Sequence, residues 1–196
     1  LAPRIEAGDL SPVELTQASL DRIEALEPNL NAFLEVFSED SLAQAHKAEA
    51  EIASGNYKGP MHGITVALKD LIDVEGTVTT GGSTILKDNM ATSDATITRL
   101  LKEAGAIIIG KTNLHELAFG TTNEDSAFVA GRHPIDPRRS LGGSLCGSAA
   151  SVLADLSYAS IATDTGRSVR IPSAACGLVG LKPSTGYIPP DGAVPP

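Results

Sequence analysis

The chain is 196 residues long and carries 15 basic against 24 acidic side chains, a net charge of −9. With no cluster of Lys and Arg, that balance argues against wrapping DNA or lying on an anionic membrane. Apolar residues make up 42%, enough for a core, while aromatics are only 4% with no Trp, a poor basis for a base-stacking or carbohydrate platform. The first element in chain order is a helix. Ser11-Pro12-Val13-Glu14 offers a cap residue, Pro at the first helical position and Glu at N3. Val13, Leu15, Leu20, Ile23 and Leu26 follow at helical spacing, and Pro28-Asn29 is expected to stop the run. A second helix is predicted from about Ser41 to Ala53, ending at Gly55; its Ala, Glu and Lys content places it on the outside.

The pattern changes near Gly59-Pro60, where short β-branched runs begin to alternate with turns and helices. Ile64 to Leu68 reads as a buried strand. Asp94 is expected to cap a helix from Ala95 to Ala104 that ends at Gly105. Ala106 to Ile109 is a strand with no polar position, as expected where both sheet faces are covered. A helix is predicted over Asn113 to Ala118, another from Ser148 to about Asp155, and a strand from Tyr158 to Ala162. Helix–strand alternation of this kind predicts an α/β fold. Gly186 to Pro196 contains four prolines and no terminating helix, so a domain ending there would leave its last strands short of neighbours. The chain therefore reads as a fragment, or as one whose remaining core comes from elsewhere.

Gly105 to Thr112 matches the Walker A letters, but Ala106 to Ile109 between the glycines is itself the strand. Amides tied into a sheet ladder cannot cradle phosphate. Cys146 and Cys176 make neither a disulfide framework nor a four-ligand metal site. His46, His62, His115 and His133 are scattered; His115-Glu116 begins the HExxH zinc motif, which fails at Phe119. No segment approaches 18 consecutive apolar residues and no secretory signal pattern opens the chain, which predicts a cytoplasmic protein.

Gly142 to Ser148 and Ala162 to Pro172 each place a serine among glycines, where a chain can turn sharply and expose amide hydrogens. On composition these are either tight loops or a nucleophile with an oxyanion hole; neither fits the GxSxG elbow. No Ser-His-Asp spacing stands out. Lys69, at the end of an apolar strand, is either a solvated strand-end charge or, if buried, a lysine whose ammonium is disfavoured and which can act as a base.

The segments Gly63–Asp70, Gly105–Asn113, Gly142–Ser148, Thr163–Pro172 and Cys176–Pro183, taken in order, resemble the amidase signature family of serine hydrolases. The likeness covers nearly the whole chain, including the N-terminal helices. It implies a mixed central sheet with helices on both faces, with residues 1–58 forming a helical segment packed on a core of residues 59–196 that is incomplete at its C-terminal end. It also implies a Ser–cis-Ser–Lys triad. By position Ser168 corresponds to the nucleophile, Ser144 to the bridging serine after a cis peptide, and Lys69 to the base. The amides of Thr165, Gly166, Arg167 and Ser168 correspond to the oxyanion hole, and Phe119, Gly120 and Thr121 to a region lining the substrate pocket.

The chemistry so implied is hydrolysis of a small-molecule amide through an acyl-enzyme, with no cofactor or metal and no direct contact with nucleic acid or membrane. A general amidase, a urea-derivative hydrolase and the glutaminase subunit of a tRNA-dependent amidotransferase all fit the likeness. Three departures support a non-enzymatic alternative. Leu145 and Cys146 follow the bridging serine where the family has Ser and Gly, Arg167 stands beside the nucleophile where it has Gly, and relatives run more than twice this length. An Arg at position 167 is costly if that backbone needs a positive φ. The short length predicts exposed core surface, and with it a homodimer, a missing C-terminal half or a partner subunit.

Overall fold

The computed structural model describes residues 1–124 and 126–194. A short helix α1 (Ala2–Glu6) precedes α2 (Pro12–Leu30), which Ser11 caps: its Oγ accepts the amides of Val13 at 3.0 Å and Glu14 at 3.2 Å. The Ser11 hydroxyl proton goes to Glu49, tying the cap to the next helix. Pro28 does not stop α2. It lies in the last turn, and Asn31 ends the helix instead with φ 50°, a left-handed conformation that Asn tolerates. The chain then forms β1 (Phe33–Val36), α3 (Ser38–Ala53), β2 (Thr65–Lys69), α4 (Thr96–Glu103), β3 (Ile107–Thr112), α5 (Cys146–Leu153), β4 (Ala159–Ile161) and α6 (Arg170–Ala175).

The strands form one mixed sheet in the order β1-β3-β2-β4; β1 runs antiparallel to β3, and β3, β2 and β4 are mutually parallel. Its two faces are covered by different helices. Ala67 and Ile109 point into a core with Leu20 and Ile23 of α2 and Cys146, Ala149 and Ala150 of α5. Val66, Leu68 and Ile108 point the other way, toward Leu101 of α4, Ala95 and Val74. This two-sided burial explains why β2 and β3 show no alternation of polar and apolar residues.

The pairing of β2 with β3 contains a bulge. Val66 lies opposite Ile108, yet Ala67 lies opposite Gly110, so Ile109 is the extra residue. The backbone groups it frees are taken up nearby: Gln44 Oε1 of α3 accepts the Ile108 amide at 3.1 Å, and Ile109 O accepts the Phe37 amide at 2.9 Å. Beyond Ile109 the strand continues through Lys111 and Thr112, further than its apolar run predicts.

Several elements differ from the sequence expectation. β1 is an additional strand, four residues long and carrying Glu35. α4 is capped at Ala95 without a side-chain bond, because Asp94 instead accepts the Glu75 amide and pairs with Lys102. The predicted helix over Asn113 to Ala118 is only a single 3₁₀ turn, Glu116–Ala118, with Leu117 and Ala118 at positive φ. Asn113 and His115 cannot start a helix there, since Asn113 spends its side chain on the backbone of Asn31 and Val129. Val179, Leu181 and Tyr187 near the C-terminal end stand open to solvent, and β4 is a half-buried edge strand.

Candidate active site

Three loops meet at the ends of β2 and β3. Lys69 is the last residue of β2, where the buried strand delivers its side chain under the α5 side of the sheet. Ser144 follows a cis peptide between Gly143 and Ser144 and leads into α5, while Ser168 stands just before α6. Lys69 Nζ is 2.7 Å from Ser144 Oγ, and Ser144 Oγ is 2.9 Å from Ser168 Oγ, so the three form one continuous hydrogen-bonded line. Close backbone approach makes this possible. A Cβ on Gly147 would overlap Ala32 O and the backbone of Asn113, so glycine lets α5 press against the β1–β3 end of the sheet. A Cβ on Gly143 would likewise strike the backbone of Gly120 and Thr121.

Lys69 has no exposed surface, and among the described residues no carboxylate touches it. Burial disfavours the ammonium and brings the group down to about 8, with the thiol of Cys146 and the Asp164 carboxylate pulling weakly the other way. A second hydroxyl, Thr163 Oγ1, lies 3.2 Å from Nζ. Cys146 itself is buried among apolar side chains, which pushes its thiol up to about 12 and leaves it a packing residue.

The loop carrying Ser168 is braced by Asp164. Its Oδ2 accepts the Val169 amide at 3.1 Å and Arg170 Nε at 3.0 Å, and its Oδ1 takes a second Arg170 nitrogen at 3.0 Å. Burial would raise this carboxyl, but the bonds from Arg170 and Val169 outweigh it and hold it below the usual range. Arg170 also donates to Gly166 O at 2.6 Å, closing the loop on itself. Among the described residues, the amides of Thr165, Gly166, Arg167 and Ser168 have no intramolecular acceptor. They are therefore free to face a developing oxyanion.

Arg167 is exposed and is not among the positive-φ residues, so the backbone penalty of an Arg in the left-handed region does not arise. Leu145 is 5% exposed and packs inward, outside the line from Lys69 to Ser168. Of the three pocket candidates, Gly120 and Thr121 lie against Gly143, while Phe119 is 89% exposed. His115 anchors that loop: its amide donates to Ser144 O at 3.1 Å and its Nδ1 accepts the Asn123 amide at 3.2 Å. Sequence reasoning missed Thr163, Asp164, Arg170 and His115. The first three lie in the polar run around Ser168, inside the resembling segment Thr163–Pro172, which marks the segment but gives these residues no role.

The Gly105–Thr112 segment is strand β3, and its Lys111 is fully buried with Nζ 2.9 Å from Asp70 Oδ1. Among the described residues, no group of three or more His, Cys, Asp and Glu could hold a metal, and no helix is long and apolar enough to cross a membrane.

Residues 14–196 match the Amidase family. A glutamyl-tRNA(Gln) amidotransferase A subunit from Carboxydothermus hydrogenoformans is 44% identical over 188 residues, covering 96% of this chain and 39% of that protein. The native peptide amidase of Stenotrophomonas maltophilia superposes with a TM-score of 0.91 at 39% identity, over 98% of this chain and 41% of its own. A protein from a vestigial complex, studied for the evolutionary origins of an s-triazine catabolic enzyme, superposes with a TM-score of 0.96 at 34% identity, over 99% and 43%. The chain thus spans about two fifths of the length of the relatives it matches.

Proposed function

The chain belongs to the amidase family, and on that premise we propose that it supplies the nucleophilic relay of an enzyme that hydrolyses a carboxylic amide. The observation carrying this reading is the unbroken line from the buried, weakly basic Lys69 through Ser144 to Ser168. Neutral Lys69 accepts the proton of Ser144 Oγ, and Ser144 Oγ takes the proton of Ser168 Oγ. Ser168 then attacks the amide carbonyl, forming the acyl-enzyme. The amides of Thr165, Gly166 and Arg167 receive the oxyanion, each such donor being worth about 3–4 kcal/mol of barrier. The same line returns the proton to the departing amine, and water releases the acid. Asp164 and Arg170 hold the Ser168 loop in place. Gly120, Thr121 and Phe119 border the substrate side.

The substrate is a small-molecule amide, met without a cofactor and without direct contact between this chain and nucleic acid or membrane. The remaining portion of the pocket comes from further sequence, a second copy or a partner protein. The experiment is covalent labelling with a fluorophosphonate probe. Wild-type chain is labelled and Ser168→Ala is not; labelling that persists in Ser168→Ala, or a folded wild type that stays unlabelled, removes the proposal.

The identity with amidotransferase A subunits favours a second reading, in which the relay frees ammonia from an amide donor such as glutamine. Glutamine-dependent ammonia release, compared with release from simple carboxamides, separates the two.

A further inference from the structure

Charge is distributed unevenly along this acidic chain. Residues 126–190, which contain both serines of the relay, carry six basic and three acidic residues, whereas the rest of the chain has a net charge of −12. Between Thr165 and Pro190 there is no acidic residue at all. Two of the three carboxylates in that stretch are taken up within it, Asp164 by Arg170 and Val169 and Asp136 by Arg138 and Arg139, which also occupies three of its six basic side chains; the third carboxylate is Asp155.

Arg167 is an exposed cation of this stretch outside those pairs. It immediately precedes Ser168, so the two Cα atoms are about 3.8 Å apart. Its side chain is exposed, and among the described residues no carboxylate pairs with it, because the adjacent Asp164 is already committed to Arg170. An exposed guanidinium with an open fork is a receptor for a carboxylate. An unpaired cation on a chain of net charge −9 also draws an anionic ligand to that spot rather than elsewhere. Among the described residues the Arg167 side chain makes no hydrogen bond or ion pair, and the loop is closed by Asp164, Val169 and Arg170 without it.

Building on the reading of Ser168 as nucleophile, we infer that the substrate is an anionic amide whose carboxylate lies on the acyl side, as in a monoamide of a dicarboxylic acid, and that Arg167 binds that carboxylate. The acyl group remains attached to Ser168 through the intermediate, so its distal carboxylate stays within reach of the neighbouring residue. The leaving amine departs and has no lasting contact with this loop.

The test uses three amide substrates and the fluorophosphonate probe. Succinic mono-p-nitroanilide carries the carboxylate on the acyl side, butyryl p-nitroanilide is its neutral counterpart, and N-butyryl glycine places the carboxylate on the amine side. For the wild type, kcat/KM for the succinyl compound exceeds that for the butyryl compound by roughly tenfold at low salt, and the ratio shrinks at high salt. Arg167→Gln brings the ratio to about one, and Arg167→Lys restores part of it. A wild-type ratio near one, a ratio unchanged in Arg167→Gln, or a preference for the amine-side carboxylate each overturns the inference while leaving the nucleophile intact. Failure of a neutral fluorophosphonate to label Ser168 overturns the nucleophile, and the substrate class falls with it.

Discussion

Two lysines on neighbouring parallel strands meet opposite surroundings. Lys69 ends β2 and Lys111 lies one register step back on β3; both are fully buried, one on each face of the sheet. Lys69 faces the hydroxyls of Ser144 and Thr163 and has no carboxylate in contact among the described residues. Lys111 faces Asp70, its ammonium 2.9 Å from Oδ1 in an ionic contact whose geometry falls outside that of a directed hydrogen bond, and it also donates to Thr79 at 3.0 Å. Asp70 in turn accepts the amide and hydroxyl of Thr80. The difference teaches that burial alone does not assign a lysine its role. Opposite neutral acceptors the charge is unsupported and the proton leaves readily; opposite a carboxylate it becomes half of an internal ion pair that fastens the segment from Val78 to Gly82.

Replacing each lysine in turn breaks the comparison most sharply. Lys69→Met is expected to slow fluorophosphonate labelling of Ser168 by about 10²–10⁴-fold while urea denaturation shows no loss of stability, since it removes a charge that had no counter-ion. Lys111→Met leaves Asp70 buried and unpaired, so stability falls by about 3–5 kcal/mol in the same urea experiment. The pair Asp70→Leu with Lys111→Met recovers most of that loss. An equal stability loss in the two single variants would dissolve the distinction.

The pH profile sharpens it further. The proposed relay requires Lys69 to be neutral, so labelling is expected to fall about tenfold per pH unit below about 8 and to level off above it. Because its folded value lies below the ordinary 10.5, the unfolded chain holds the proton more tightly. Stability therefore rises with pH between about 8 and 10.5, and Lys69→Met lacks that rise. On the α5 side, Gly147→Ala forces a methyl against Ala32 O and Asn113 and is expected to destabilise by about 1–3 kcal/mol, seen as a lower urea midpoint. The smallest effect is that of Thr163→Val. Removing an acceptor from the ammonium moves the profile to lower pH, which a careful labelling titration resolves.

The two sides of this comparison are unequally legible in the sequence. β2 and β3 can be read because two covered faces demand unbroken apolar runs, and Lys69, Ser144 and Ser168 because they sit in segments whose joint spacing resembles a family. The Asp70–Lys111 pair cannot be read, since its partners are far apart in the chain and meet only through strand register. β1 escapes because four residues with a central Glu35 carry too little pattern. Pro28 misleads in the other direction: in a last turn its missing amide interrupts little, and Asn31 supplies the left-handed exit. Asn113 to Ala118 has helix-forming letters, but the hydrogen bonds that Asn113 and His115 make elsewhere override local preference.

The extra residue in β3 decides which way the end of that strand faces. Side chains alternate along a strand, so one inserted position reverses the orientation of everything after it. With Ile109 present, Lys111 aligns with Leu68 and Thr112 with Lys69. Were Ile109 instead paired regularly with Ala67, Gly110 would align with Leu68 and Lys111 with Lys69, and two cationic heads would crowd the same buried space beneath the serines. Pairing that single isoleucine into the ladder, with no residue gained or lost, would thus bring the anchor of one half under the serines of the other: the backbone irregularity, rather than any functional group, keeps the two lysines apart.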